Sequence, residues 1–90
     1  MTQIGRCAFA QNDNVTKIII PAYITKICDD AFWMCSNLKE VIIEKADTPL
    51  IVNNGAFFNC PNLERIIVGR EMSWNTYSIN RKVTKIVEIE

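Results

Sequence analysis

Histidine is missing from this 90-residue chain, glycine and proline occur three times each, and ten basic residues balance ten acidic ones to a net charge of zero. Each shortage closes a class of function. Without histidine, and without a serine or cysteine beside a recognisable base, nucleophilic and general-base catalysis lack their parts. Three scattered glycines make no phosphate-cradling loop after a strand. Five charges of either sign in each half of the chain leave no basic stripe, so direct binding to nucleic acid is not expected. No apolar run approaches the roughly 18 residues that span a bilayer, and residues 1–6 have no signal-peptide core. A membrane role is therefore not expected, and the cytoplasm is the expected compartment. The alternative is a cell-surface or secreted location, as a fragment of a longer chain. The four cysteines, Cys7, Cys28, Cys35 and Cys60, include no C-x-x-C pair and follow no disulfide-scaffold pattern, so neither a metal nor another cofactor is expected.

What the chain does have is one short unit written four times. Ile27 to Ile43 and Val52 to Val68 superimpose without a gap, sharing Ala31-Phe32 with Ala56-Phe57, Cys35 with Cys60, Leu38 with Leu63, and a closing aliphatic triplet. An earlier copy runs from Ile4 through Ala8-Phe9, Asn12 and Val15 to Ile18-Ile19-Ile20, and a worn fourth uses Met72, Tyr77, Asn80, Val83, Ile86 and Val87. The anchors Phe9, Phe32, Phe57 and Tyr77 are 23, 25 and 20 residues apart, a spacing that implies a solenoid. We read a single domain over 1–90 with repeats at about 4–20, 27–43, 52–68 and 72–89, the last degenerate and capping.

Within each unit the pattern changes period. Leu38, Val41 and Ile43 follow an L-x-x-I-x-I spacing whose end alternates as a half-buried strand does. The expected core columns are Ile4/Ile27/Val52/Met72, Phe9/Phe32/Phe57/Tyr77, Val15/Leu38/Leu63/Val83, Ile18/Val41/Ile66/Ile86 and Ile20/Ile43/Val68. Glu88 breaks the last of these, where the chain is expected to turn outward. Before each strand, Asp29-Asp30 stand where helix caps belong, and Phe32, Cys35 and Leu38 recur every third residue, which suits a short helical or 3₁₀ turn. Asn14, Asn37 and Asn62, one residue before the Leu or Val, suit a left-handed stop. Cys35 and Cys60 share a column with Asn12 and Asn80, where an inward group that bonds to loop backbone is expected.

The unit, Ile/Val-x-x-x-Ala-Phe-x-x-Cys/Asn-x-x-Leu/Val-x-x followed by three Ile or Val, resembles the BspA-type (treponemal-type) leucine-rich repeat over almost the whole chain. The resemblance implies an α/β solenoid of about four repeats, with a parallel β-sheet on one face and short helical or 3₁₀ turns opposite. It also implies a bacterial or parasite setting: the class is known mainly from surface and secreted proteins of anaerobic bacteria and some parasites, whose arrays bind host proteins or other partners.

Two surfaces are candidates for binding. Between the inward aliphatics of each strand, Ile19, Ile42, Ile67 and Val87 should point outward as an apolar row, beside a charged row of Lys17, Glu40, Arg65 and Lys85. On the other face, Trp33 and Phe58 follow their anchors, and two arrangements are open to them: a side-by-side stack outside the core, or packing onto the loop of the next turn. The expected function is a non-enzymatic protein-binding module. Its leading form is a small stand-alone binder or inhibitor of a cytoplasmic protein, an enzyme or nucleoprotein complex, as phage-type anti-CRISPR proteins are. The alternatives are a piece of a surface adhesin, or a structural oligomer that self-associates through the open ends of the array.

Overall fold

Each aliphatic triplet forms a strand, and each forms it beside the next copy of itself. The structure, a computed structural model, describes residues 3–74 and 85–88, and of Lys85 and Glu88 the backbone alone. Two strands mark every turn: β1 (Gln3–Ile4), β2 (Lys17–Ile20), β3 (Lys26–Ile27), β4 (Glu40–Ile43), β5 (Leu50–Val52), β6 (Arg65–Val68), β7 (Met72–Ser73) and β8 (Lys85–Glu88). They assemble into two parallel four-stranded sheets, ordered β1-β3-β5-β7 and β2-β4-β6-β8. The result is a solenoid of parallel strands with about three turns. Tyr77, Asn80 and Val83 of the fourth copy lie outside the described residues.

The register follows the repeat. Ile18 pairs with Val41, Val41 with Ile66 and Ile66 with Ile86, while Ile20, Ile43, Val68 and Glu88 line up along the next inward row. Val41, Ile43, Ile66 and Val68 are buried and the Ile42 and Ile67 side chains between them are not, as a half-covered sheet requires. The backbone does not turn outward at Glu88, because β8 stays paired through that residue opposite Val68.

The face opposite the sheets holds no helix among the described residues, which corrects the expected helical or 3₁₀ turns. A backbone that must bond to its neighbouring turn cannot spend all its amides inside its own turn. Residues 28–34 divide them. The amides of Ala31 and Trp33 close short turns onto the carbonyls of Cys28 and Asp30 three residues back, whereas those of Asp30, Phe32 and Met34 reach the carbonyls of Asn54, Ala56 and Phe58 one turn on. Asp29 and Asp30 therefore cap nothing. Asp30 is itself left-handed, at φ 57°, and each anchor is flanked two residues away on either side by such a residue: Cys7 and Gln11, Asp30 and Met34, Gly55 and Asn59. A side chain on Gly55 would start 1.9 Å from the Asp30 carboxylate, so glycine there serves both the φ of 76° and the close approach.

The asparagines expected at a left-handed stop do other work. Asn37 Nδ2 donates to the Asp13 carbonyl and Asn62 Nδ2 to the Ser36 carbonyl, each at 2.7 Å. Asn37 and Asn62 thus tie each turn to the one before it, and no left-handed conformation is needed at 14, 37 or 62.

The core runs from Ile20 to Val68 and is lined by the expected columns in the second and third turns, with Ala31, Leu38, Ala56 and Leu63 at most 1 % exposed. The first turn differs. Ile4, Val15 and Ile18 are only partly buried, and Phe9 is 45 % exposed although its ring continues the aromatic column. Phe9 stacks on Phe32 at 5.3 Å and Phe32 on Phe57 at 5.2 Å, with interplanar angles of 4° and 3°. Phe32 has a ring on each side. Phe9 has one on one side alone among the described residues.

Arg70 is one of the twenty charged residues, yet it is buried and bridges loops two turns apart. Its Nε donates to the Thr48 carbonyl at 2.8 Å, Nη2 to Thr48 Oγ1 at 2.8 Å and to the Pro49 carbonyl at 3.4 Å. Nη1 reaches the carbonyls of Ile24 at 2.8 Å and Ala22 at 3.2 Å, 46 and 48 residues back. Five donors meet five neutral acceptors. Gly69 lets the chain come this close, since a Cβ there would lie 2.7 Å from the Ile43 carbonyl oxygen.

Candidate functional site

The outer face of the larger sheet carries the two rows read from the sequence. Ile19, Ile42, Ile67 and Val87 occupy one register position on neighbouring strands, and Lys17, Glu40, Arg65 and Lys85 another two residues earlier. Ile19, on one edge strand, is 53 % exposed, Ile42 and Ile67 on the two inner strands are half-buried between their neighbours, and Val87 on the other edge strand is half-buried too. The charged row alternates in sign over its first three members. Glu40 accepts from Arg65 Nε and lies 3.8 Å from Lys17 Nζ, so one carboxylate couples three strands. Cross-strand pairs of this kind contribute roughly 0.2–1 kcal/mol and leave the apolar row with a soluble border.

The opposite face is less orderly than expected. Trp33 and Phe58 share a column but are both half-buried, while Phe9, Phe32 and Phe57 form the stacked column. An outward Trp33–Phe58 stack is not present. Each side chain is partly covered by its surroundings.

The thiol column is structural. Cys35 Sγ donates to the Phe9 carbonyl at 3.2 Å and Cys60 Sγ to the Phe32 carbonyl at 3.1 Å, so each thiol holds the anchor of the preceding turn. All four cysteines are free, and no group of three or more metal-binding side chains occurs among the described residues. Burial pushes the Cys60 thiol up from its ordinary 9.0 to about 11, and burial raises Cys35 as well, helped by the nearby charge of Asp13. The folded state holds these protons more tightly than the unfolded one. For Cys60 this stability is complete below about pH 9 and is lost as the pH rises from there through about 11, at up to about 1.4 kcal/mol per pH unit, and Cys35 contributes in the same direction. We expect urea melts near pH 8 and near pH 10 to show this loss, and Cys35→Asn with Cys60→Asn to reduce it. An unchanged slope in the double variant would place the alkaline loss elsewhere.

One surface was not anticipated in residue detail. At the open end of the first turn a groove of about 330 Å³ is lined by Ile4, Phe9, Val15, Ile18, Ile20 and Ile24, with Phe32 behind them and Tyr23 at its rim. Most of these side chains belong to core columns, and no neighbouring turn covers them among the described residues. The repeat spacing predicts such a column but carries no signal for which of its members is left exposed.

Compared with known proteins, the chain matches the family model of the BspA type leucine-rich repeat region over residues 1–90, in six copies. No curated protein and no solved structure matches it.

Proposed function

The chain belongs to the BspA-type leucine-rich repeat family, a family of non-enzymatic interaction repeats that bind protein, and from that premise we propose that it binds its partner through the outer face of the larger sheet. The observation that carries this reading is the in-register apolar row Ile19, Ile42, Ile67 and Val87, bordered by the Lys17–Glu40–Arg65 ladder. Aliphatic side chains in a row, fixed by the strands beneath them, lose little conformational freedom on binding. The charged border orients the partner and discourages collapse onto wrong ones.

The narrower proposal is that the partner is a cytoplasmic enzyme or nucleoprotein complex which this small module inhibits by covering its surface. The apolar row with its charged border is the surface that would do the covering. Once a partner has been identified, its activity with and without the bound chain decides the matter, and full activity in the complex sinks the inhibitor reading.

Replacing both Ile42 and Ile67 by Lys tests the sheet face itself. The fold should survive with a loss of about 1 kcal/mol or less, because both side chains already face outward. Binding should fall by two orders of magnitude or so, since each lysine must be desolvated without a counter-charge. Circular dichroism checks the first expectation and affinity for the captured partner the second. If this variant binds normally while Trp33→Ala with Phe58→Ala does not, the contact lies on the opposite face.

A further inference from the structure

Between β5 and the anchor of its turn the chain reads Asn53-Asn54-Gly55-Ala56, and no other asparagine in the sequence precedes a glycine. The Ala56 amide closes this segment onto the Asn53 carbonyl at 3.4 Å, so Asn54 and Gly55 are the middle pair of a turn. Asn54 is exposed, whereas Ala56 and Phe57 just after it are buried. Gly55, left-handed at φ 76°, has no side chain of its own to screen its nitrogen. The same two positions hold Arg6 and Cys7 in the first turn and Asp29 and Asp30 in the second. Among the described residues, the third turn alone sets an exposed side-chain amide beside an unscreened main-chain nitrogen.

We propose that Asn54-Gly55 is a self-modification site, at which the chain acquires an isoaspartyl linkage. The Gly55 nitrogen adds to Asn54 Cγ and forms a new C–N bond, while the bond from Cγ to the side-chain nitrogen breaks and that nitrogen leaves as ammonia with the Gly55 amide proton. A five-membered imide results. Water then opens the ring, and where it breaks the bond between the Asn54 main-chain carbonyl carbon and the Gly55 nitrogen, the backbone continues through the former side chain. Water is the only co-reactant, and nothing is oxidised or reduced. The position gives the change its effect. The Asn54 carbonyl accepts the Asp30 amide at 3.1 Å, the first of three rungs continued by Phe32 to Ala56 at 2.8 Å and Met34 to Phe58 at 3.2 Å. In the isoaspartyl form that oxygen belongs to a carboxylate off the main chain, and the backbone is one methylene longer. The new charge also arrives beside the Asp30 carboxylate, whose Oδ1 lies 1.9 Å from where a Cβ on Gly55 would stand. Modification thus loosens the second turn from the third along this arc and makes the chain a substrate for enzymes that methylate isoaspartyl carboxylates.

The test ages the full chain at neutral pH and 37 °C beside a synthetic peptide of residues 45–56, until the peptide has converted. Mass spectrometry should find the gain of an amide-to-acid exchange on the fragment of the chain that holds residues 53–56. A protein isoaspartyl methyltransferase with labelled S-adenosylmethionine should label that same fragment. Conversion should quicken as the pH rises, because the Gly55 nitrogen must lose its proton to attack, and Asn54→Gln should take no label, because a six-membered imide closes far more slowly. The modified chain should melt several degrees below the fresh one and exchange the amides of Asp30, Phe32 and Met34 faster. Asn54→Asp carries the charge on an unaltered backbone and should lose less. The proposal is overturned if the fragment keeps its mass, if it converts in urea but not in buffer, or if Asn54→Gln is labelled equally. A modified chain that melts as the fresh one does, with these amides still protected, would overturn the loosening of the arc.

Discussion

Phe32→Ala is expected to destabilise the protein by about 3–5 kcal/mol, while Phe9→Ala, in the same column, should cost about 1 kcal/mol. Phe32 is 2 % exposed, its ring lies between two others at 5.3 and 5.2 Å, and its backbone carbonyl holds the Cys60 thiol. Truncation leaves a cavity and removes two stacking contacts, each worth roughly 0.5–1.5 kcal/mol beyond the area buried. Phe9 keeps one stack and has solvent on its other side. A domain of this size has only about 5–15 kcal/mol in total, so the Phe32 variant should melt far below wild type and the Phe9 variant a few degrees below it. Equal losses at the two positions would mean that the open end is covered in solution.

Arg70→Ala should come close to the same magnitude for a different reason. The guanidinium satisfies the carbonyls of Ala22, Ile24, Thr48 and Pro49 and the Thr48 hydroxyl, and it is 7 % exposed. Truncation orphans these acceptors together. At roughly 1 kcal/mol for the buried Ile24 carbonyl and somewhat less for each of the four part-buried acceptors, the loss is about 3–4 kcal/mol. Arg70→Lys should recover only part of it, because an ammonium has three donors on a single atom and cannot span two loops. Chemical denaturation of the three proteins would show the order wild type, lysine, alanine. A lysine variant as stable as wild type would show that charge alone suffices and that the fork is incidental.

Much of this was readable from residues because the repeat constrains each position several times over. The alternation in Val41-Ile42-Ile43 and Ile66-Ile67-Val68 settles which side chains face inward, and the shared column of Cys35 and Cys60 announces a group that bonds to loop backbone. The helical face was misread for a physical reason. Acids before an anchor and apolar residues every third position suit a helix start equally well, and only the demand of the neighbouring turn for amides excludes it. Asn37 and Asn62 were assigned a backbone conformation when their side-chain amides were the point. Phe9 was counted as core because a column shows equivalence and not position along the stack. Arg70 belongs to no column: it occurs once, where the other copies have Ala22 and Lys45, and the one hint beside it is Gly69, which marks a close approach without saying of what.

A solenoid whose turns touch only their neighbours behaves as a chain of weakly coupled units, free to open from either end one turn at a time. Arg70 breaks that independence. Its bonds to Ala22 and Ile24 skip the intervening turn, so the loop that leaves the first turn cannot detach without releasing the guanidinium held in the third. Opening of the first turn is thereby made conditional on events near residue 70. In hydrogen exchange this appears as shared protection: amides around Ile20 and Ile24 should exchange together with those around Val68, in one cooperative unit rather than as a fraying end.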